Sequence, residues 1–496
     1  EAVERLCQIS SKEQHLLTSA ARPIVLLKPK AEVCQSLAAN VAANCARLGV
    51  FLPPMGLYNI LCAIDIPLIV TSCNFTGAPI IYKDEDAFAF YKQEQTVAGI
   101  FTYDREILRP ADDSVVKVAG TYEQILRRTK GYMPEPIAIA NGSGKAVLAL
   151  GAQMEPSFCL GVPGKLYPGQ IPGELEDERT EQLLLTSIKD WQSLLKIEPQ
   201  LIVSDLHPNY TSTSLGQELA DKHNLKFVQI QHHYAHALAV MAEHNLQEQV
   251  LAVCFDGTGY GDDGTIWGGE FLLCDCKHYE RFAHLESVPM LGGDESMKQA
   301  WKSALCYLGD LGAAFDSRAE VVQAALKAKL NVINNSSMGR VFDAVAAVLG
   351  IADYNSHTGR CAQALEAEAT VAIEQKLHPL DLHFTQAETK IWSAKAMWPM
   401  LLQCRSKAEI AAAALGFHEA VVEMLCKTAL QAKQEHNLSK LVLGGGCFAN
   451  SILLARAVEE LEKLGFEVYF NKKVSPGDGG IALGQAYYGI MIDKTC

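Results

Sequence analysis

The sequence has no long basic run, no long apolar run and no paired-cysteine motif. Lysine and arginine never cluster beyond a local pair and the formal charge is −14, which argues against duplex nucleic acid or an anionic membrane as partner. No stretch approaches the roughly 18 uninterrupted apolar residues of a membrane-spanning helix. The fifteen cysteines are odd in number, scattered and never spaced C-x-x-C. The nearest pair, Cys274-x-Cys276, lacks a second pair to complete a zinc knuckle, so reduced thiols in a cytoplasmic protein are expected. Short-period repeats, low-complexity tracts and a signal-peptide pattern are missing, and Glu1 rather than Met stands first. Neither G-x-G-x-x-G nor a Walker lysine motif occurs.

What is present is a chain of 496 residues, 49% apolar and 20% charged, long enough for two or more cores. Residues 1–137 alternate β-branched runs (Ile24-Val-Leu-Leu27, Leu68-Ile-Val70) with Ala-rich helical patterns. The proline- and glycine-rich stretch Pro134-Glu-Pro-Ile-Ala-Ile-Ala-Asn-Gly-Ser-Gly144 predicts a linker over 138–145. From 146 to 496, strands are expected at 146–151, 201–205, 227–230, 250–255 and 440–443. Helices are expected at 322–328, 340–349, 419–434 and 455–464. This alternation predicts an α/β fold with largely parallel sheet covered on both faces.

Four stretches carry chemistry. Phe255-Asp-Gly-Thr-Gly-Tyr-Gly-Asp-Asp-Gly264 follows an apolar strand, and its glycines would let backbone N–H groups and the Thr258 hydroxyl approach a phosphate, with Asp256 facing a metal. D-G and G-D-D-G are equally ordinary hairpin-turn chemistry. Leu441-Val-Leu-Gly-Gly-Gly-Cys-Phe-Ala-Asn450 is a strand, three glycines and a helix start, which suits either an anion at the helix N-terminus or a close packing turn. Asp478, in Ser475-Pro-Gly-Asp-Gly-Gly-Ile-Ala-Leu-Gly484, suits a helix cap or a ligand. His232 and His236 are spaced i, i+4, so on a helix they share a face and can grip one cation, though a lone pair of histidines is often structural. His233 points elsewhere and reads as a packing residue. No glutamate stands in an H-E-x-x-H arrangement, which removes the metalloprotease reading.

Together, His232-x-x-x-His236, Asp256-Gly-Thr-Gly, Gly444-Gly-Gly-x-x-x-Asn450 and Asp478-Gly-Gly resemble the HypF carbamoyltransferases of nickel–iron hydrogenase maturation. SDLHPNYTST, QHHYAHALAVMAEH, SSMGRVFDAVAAVLGI and DGGIALGQA extend the likeness from about residue 146 to the C-terminus. This half is similar to transferase domains of the actin-like ATPase superfamily, a duplicated ribonuclease-H-like fold. Thr71-Ser-Cys-Asn-Phe-Thr-Gly77, Asp112-Asp-Ser-Val115 and Arg127-Arg-Thr-Lys-Gly-Tyr-Met-Pro134 make residues 1–137 resemble a YrdC-like nucleotide domain. That domain order is the HypF order; antibiotic O-carbamoyltransferases carry the reverse.

The resemblance implies that carbamoyl phosphate and ATP, with Mg, give carbamoyl adenylate in the YrdC-like domain. The transferase domain then passes the carbamoyl group to the C-terminal cysteine thiol of a HypE-like partner. It implies His232, His236 and Asp478 as ligands of a divalent metal (Zn or Fe), with Asp256 beside them. Thr258, Gly259, Gly444, Gly445 and Asn450 would line the nucleotide, Asp343 and Glu366 would meet its nucleoside end, and Ser72 and Asn74 belong to the first-domain nucleotide site.

Departures from the family pattern favour other readings. The K-R-x-x-K-P stretch is expected before Glu1, so the first domain reads as truncated and the chain as unable to complete the full reaction alone. Tyr103-Asp-Arg105 replaces H-N-R, Glu155 replaces a lysine, and Thr358-Gly-Arg360 replaces E-G-Q. They motivate a non-catalytic metal- and nucleotide-binding module as the alternative. Within enzymes, small-molecule O-carbamoylation competes.

Overall fold

The computed structural model describes residues 1–492 apart from 37, 39–40, 42–45, 65, 76–77, 141 and 143, and apart from the side chains of 34–36 and 294. The first unit is built on the strand Ile24–Pro29, parallel to Val115–Ala119 and antiparallel to Leu48–Val50. A hairpin adds Tyr122–Arg127. Leu16, Leu17, Val25, Leu27, Val116 and Ile125 close its small core.

The expected strand at 68–70 does not form: Leu68, Ile69 and Val70 are 41%, 78% and 43% exposed and outside any strand. Branched side chains favour extended backbone, but a strand also needs a neighbouring edge, and no described strand pairs with this segment. Thr76 and Gly77 lie outside the described residues, as do Asn141 and Ser143 of the expected linker. At the start of that linker, Ile137–Ala138 already pairs with Lys165 and Leu166 of the second unit.

The second unit contains the same five-strand order twice. Val147–Ala149, Ser157–Val162 and Lys165–Gln170 form an antiparallel meander, and Leu201–Asp205 and Lys226–Ile230 add in parallel on its far side. Val250–Tyr260, Ile266–Cys274 and Tyr279–Leu285 repeat the meander, followed by parallel Lys440–Gly444 and Glu467–Phe470. The sheets are therefore mixed, not largely parallel as expected. Residues 163–164, 261–265 and 275–278 are too short for a crossover helix, and short connections force antiparallel neighbours.

Two helices lie between the sheets, His232–His244 and Ile481–Met491. Their core includes Val147, Val203, Leu238, Val240, Val250, Ala252, Val442 and Ile481. The first is buried from His232 to Glu243, the pattern of a helix covered on all sides. The two cross closely because Gly484 has no side chain: a Cβ there would lie 1.9 Å from the Ala235 carbonyl oxygen. Further helices, among them Glu178–Leu195 outside the first sheet and Met338–Val348 and Lys407–His436 outside the second, complete the layers.

The two units meet through buried polar contacts. The Lys117 ammonium donates to the Ala449 carbonyl and lies 3.1 Å from Ser451 Oγ, and Gln124 Nε2 donates to the Phe448 carbonyl at 3.1 Å. Burial pulls the Lys117 ammonium down to about 8, opposed by Glu366.

Candidate metal centre

The strand Lys226–Ile230 delivers the chain directly into the histidine helix, whose first turn is capped by Gln231 accepting from Tyr234 N at 2.9 Å. One turn apart, the His232 and His236 rings lie 5.0 Å centre to centre. His233 turns away, its Nδ1 3.0 Å from Gln231 Nε2 and its ring 6.3 Å from the Trp267 ring. Gly259 packs on this pair of imidazoles: a Cβ would stand 2.5 Å from His233 Cε1 and 2.7 Å from His232 Cδ2. That close approach, rather than backbone freedom, is why the position is glycine.

Two carboxylates complete the cluster. Asp256 Oδ2 is 3.2 Å from His232 Nε2 and 3.4 Å from His236 Nε2. Its Oδ1 accepts from Gly446 N at 3.1 Å, a contact made when Lys440–Gly444 pairs beside the Asp256 strand. Asp478 Oδ1 lies 3.6 Å and 3.9 Å from the same two nitrogens. One ligand atom from each of the four residues lies within 4.8 Å of the others. Donors each about 2.1 Å from a tetrahedral ion stand roughly 3.4 Å apart, close to these separations. His236 Nε2 is buried, with the long 3.4 Å approach of Asp256 Oδ2 facing it. The donor set of neutral imidazole and carboxylate suits a divalent ion.

A third acid, not singled out by the sequence, orients His232. Asp205 Oδ2 is 2.8 Å from His232 Nδ1, and both side chains are fully buried. An acceptor at Nδ1 fixes the tautomer with its lone pair on Nε2, aimed at the cluster. The available signal was positional: Asp205 ends a strand whose parallel register sets it beside Ile230, two residues before His232.

The charges compete in this pocket. Burial works against an imidazolium at His232, but Asp205, Asp256 and Asp478 outweigh it and hold its pKa well above the ordinary histidine value. Burial lowers that of His236. Burial also opposes the Asp256 charge, yet His232 and His236 hold that carboxyl well below its usual range, while burial pushes Asp478 well above it. A cation entering must displace the protons on His232 and Asp478. Apparent affinity for Zn²⁺ should therefore rise with pH by up to about tenfold per unit for each proton released, measured by chelator competition. A flat profile would contradict this proton count.

The other expected residues are placed as follows. Asp256-Gly-Thr-Gly259 is not the hairpin turn but an irregular stretch of strand between Phe255 and Gly259; the reversal comes later, closed by Gly261 N donating to Thr265 O at 2.9 Å. The Ser337 hydroxyl, 2.8 Å from Asp256 O and 2.5 Å from Gly257 O, draws this backbone out of the ladder. Thr258 is half-buried there. Gly444 and Gly445 pass close to other backbone, a Cβ lying 3.2 Å from His236 O and 2.3 Å from Phe255 O respectively, the latter at φ +96°. Asn450 caps the helix Ser451–Lys463, accepting from Leu453 N at 3.0 Å, and its Nδ2 is 2.8 Å from His418 Nε2. Asp343 pairs with Arg340 Nη2 at 2.8 Å and accepts from Asn355 at 3.0 Å. Glu366 Oε1 accepts from Ser451 N at 2.8 Å. Ser72 donates to Asn74 Oδ1 at 2.7 Å on the exposed side of the first unit. Glu155 accepts from Gly479 N at 2.9 Å, next to Asp478.

Comparison with known proteins bears on the same regions. Residues 252–485 match the family model described as carbamoyltransferase, Kae1-like domain, second subdomain, residues 142–243 that of the HypF Kae1-like domain, and residues 1–129 that described as telomere recombination, of the Sua5, YciO and YrdC group. A carbamoyltransferase HypF of Synechocystis sp. is 34% identical over 96% of this chain, and the chain spans 64% of that relative's length. A carbamoyltransferase HypF homolog of Cupriavidus necator is 34% identical over 69% of this chain and 90% of its own length. The crystal structure of a full-length HypF in phosphate- and nucleotide-bound form superposes with a TM-score of 0.89 at 33% identity, covering 98% of this chain and 77% of that one.

Proposed function

Because the chain belongs to the HypF carbamoyltransferase family, we propose that it acts in nickel–iron hydrogenase maturation, passing a carbamoyl group from carbamoyl adenylate to the C-terminal cysteine thiol of a HypE-like partner. The observation that carries the reading is the convergence of His232, His236, Asp256 and Asp478, one ligand atom from each lying within 4.8 Å of the others. A divalent ion held there would polarise the carbamoyl carbonyl and offset charge on the departing adenylate. Asp205 keeps the His232 tautomer fixed. Gly257, where a Cβ would meet nothing nearer than 3.8 Å, leaves room for ligand oxygens beside Asp256, while the Gly446 and Ser451 N–H groups already donate to Asp256 and Glu366. Burial of the cluster keeps bulk water from competing with the acceptor thiol.

With carbamoyl phosphate and ATP, the protein should release pyrophosphate and carbamoylate a HypE terminal cysteine. Metallated protein doing neither would overturn the proposal. One observation favours the binding-module alternative: Glu155 adds a carboxylate beside Asp478, bonded to Gly479 N. Normal adenine-nucleotide binding by calorimetry with no single-turnover transfer would select it.

A further inference from the structure

Three of the four clustered side chains come from two packed elements: His232 and His236 share a helix, and Asp256 lies within the strand Val250–Tyr260 packed against it. Asp478 arrives from elsewhere. It follows residues 471–477, an irregular segment between the strand Glu467–Phe470 and the short 3-10 turn Asp478–Gly480. Irregular backbone has no ladder to satisfy its N–H groups or fix its position, so something else must hold this segment at the right height.

We propose that Glu243 is the positioning residue that sets Asp478 against the two histidines. Its carboxylate is buried and accepts four hydrogen bonds from this segment. Oε1 takes Asn471 Nδ2 at 3.0 Å and Val474 N at 3.1 Å; Oε2 takes Lys472 N at 2.9 Å and Lys473 N at 2.8 Å. Glu243 belongs to the histidine helix itself, seven residues beyond His236, or about 10 Å along the axis. Charge-assisted bonds to backbone N–H are short and directional, so the helix that presents the imidazoles also fixes the approach of the distant carboxylate. After Asp478 the chain is pinned to the same helix again, where Gly484 meets Ala235. Asp478 is therefore held between two anchors on the histidine helix, with Glu155 gripping Gly479 N beside it, and Glu243 sets the course of the segment that leads into Asp478.

This inference rests on the metal reading of the cluster, and metal affinity tests both separately. The full chain is titrated with Zn²⁺ against a chelating dye, as wild type, Glu243→Gln, Asn471→Ala and Leu184→Ala. Glutamine has one acceptor oxygen, and its NH₂ would face backbone donors, so Glu243→Gln should weaken Zn²⁺ binding by about 10- to 100-fold, the range for removing support around metal ligands. Asn471→Ala removes one of four donors and should weaken it a few-fold; it carries the test if Glu243→Gln does not fold. Leu184, fully buried outside the first sheet, controls for general destabilisation: its variant should lose thermal stability yet keep wild-type affinity. Wild-type protein that binds no ion would overturn the metal reading and this inference with it. An ion bound by the wild type and equally well by Glu243→Gln or, failing that, Asn471→Ala would overturn the positioning role alone. Equal affinity loss in Leu184→Ala would overturn it too.

Discussion

Wild-type protein should retain a divalent ion through purification and a His232→Ala, His236→Ala double variant should lose it, with carbamoyl transfer falling at least about a thousandfold, roughly 4 kcal/mol of transition-state stabilisation. The change removes both nitrogen donors of the cluster while Asp256 and Asp478 stay. Two buried carboxylates facing each other without cation or imidazole repel, and the remaining site would take up a proton instead. His233→Ala is the matched control. It deletes an equally buried imidazole from the same helix, but that ring turns toward Gln231 and Trp267, so the ion should stay. Elemental analysis of the three proteins decides the matter: equal stoichiometric metal in wild type and double variant would make the histidines packing residues.

Asp205→Asn should weaken Zn²⁺ binding by about 10- to 100-fold without contacting the ion. The wild-type carboxylate, 2.8 Å from His232 Nδ1, keeps the proton on that nitrogen. An asparagine either accepts more weakly through its oxygen or turns its NH₂ toward Nδ1, which drives the proton to Nε2 and blocks the ligand atom. The variant has a second signature. Asp205 is foremost among the groups that raise the His232 pKa against burial, so its loss lowers that pKa in the metal-free protein. Proton competition then ends at lower pH, and the affinity curve should shift toward acid while its plateau falls. Competition titrations from about pH 5.5 to 8.5, spanning histidine titration, would show both. Unchanged affinity and profile would remove Asp205 from the site.

The limits of reading this chain residue by residue appear in particular places. The i, i+4 spacing of His232 and His236 was legible because a helix converts that spacing into one face within a few residues. Asp256 reads as a strand end because the apolar run stops at Phe255, whereas the strand continues past it to Tyr260 with an irregular ladder. Asp478 entered through likeness to a family, since its own turn is compatible with a simple cap. The stretch from Asp256 to Gly264 holds two successive glycine-aspartate turn signals, and local chemistry cannot rank them. Ser337, 81 residues away, settles it by drawing the Asp256 carbonyl from the ladder. Leu68-Ile-Val70 shows the converse, a sound strand signal with no strand to pair with.

The helix face that His232 and His236 share was decided by interactions spanning a handful of residues, and it is written directly in the chain. The Asp205 bond to His232, the Gly446 N–H on Asp256 across 190 residues and the grip of Glu243 on the Asp478 segment arise only when distant strands and helices pack. Such contacts depend on pairing register and helix crossing, which are collective properties of the whole core.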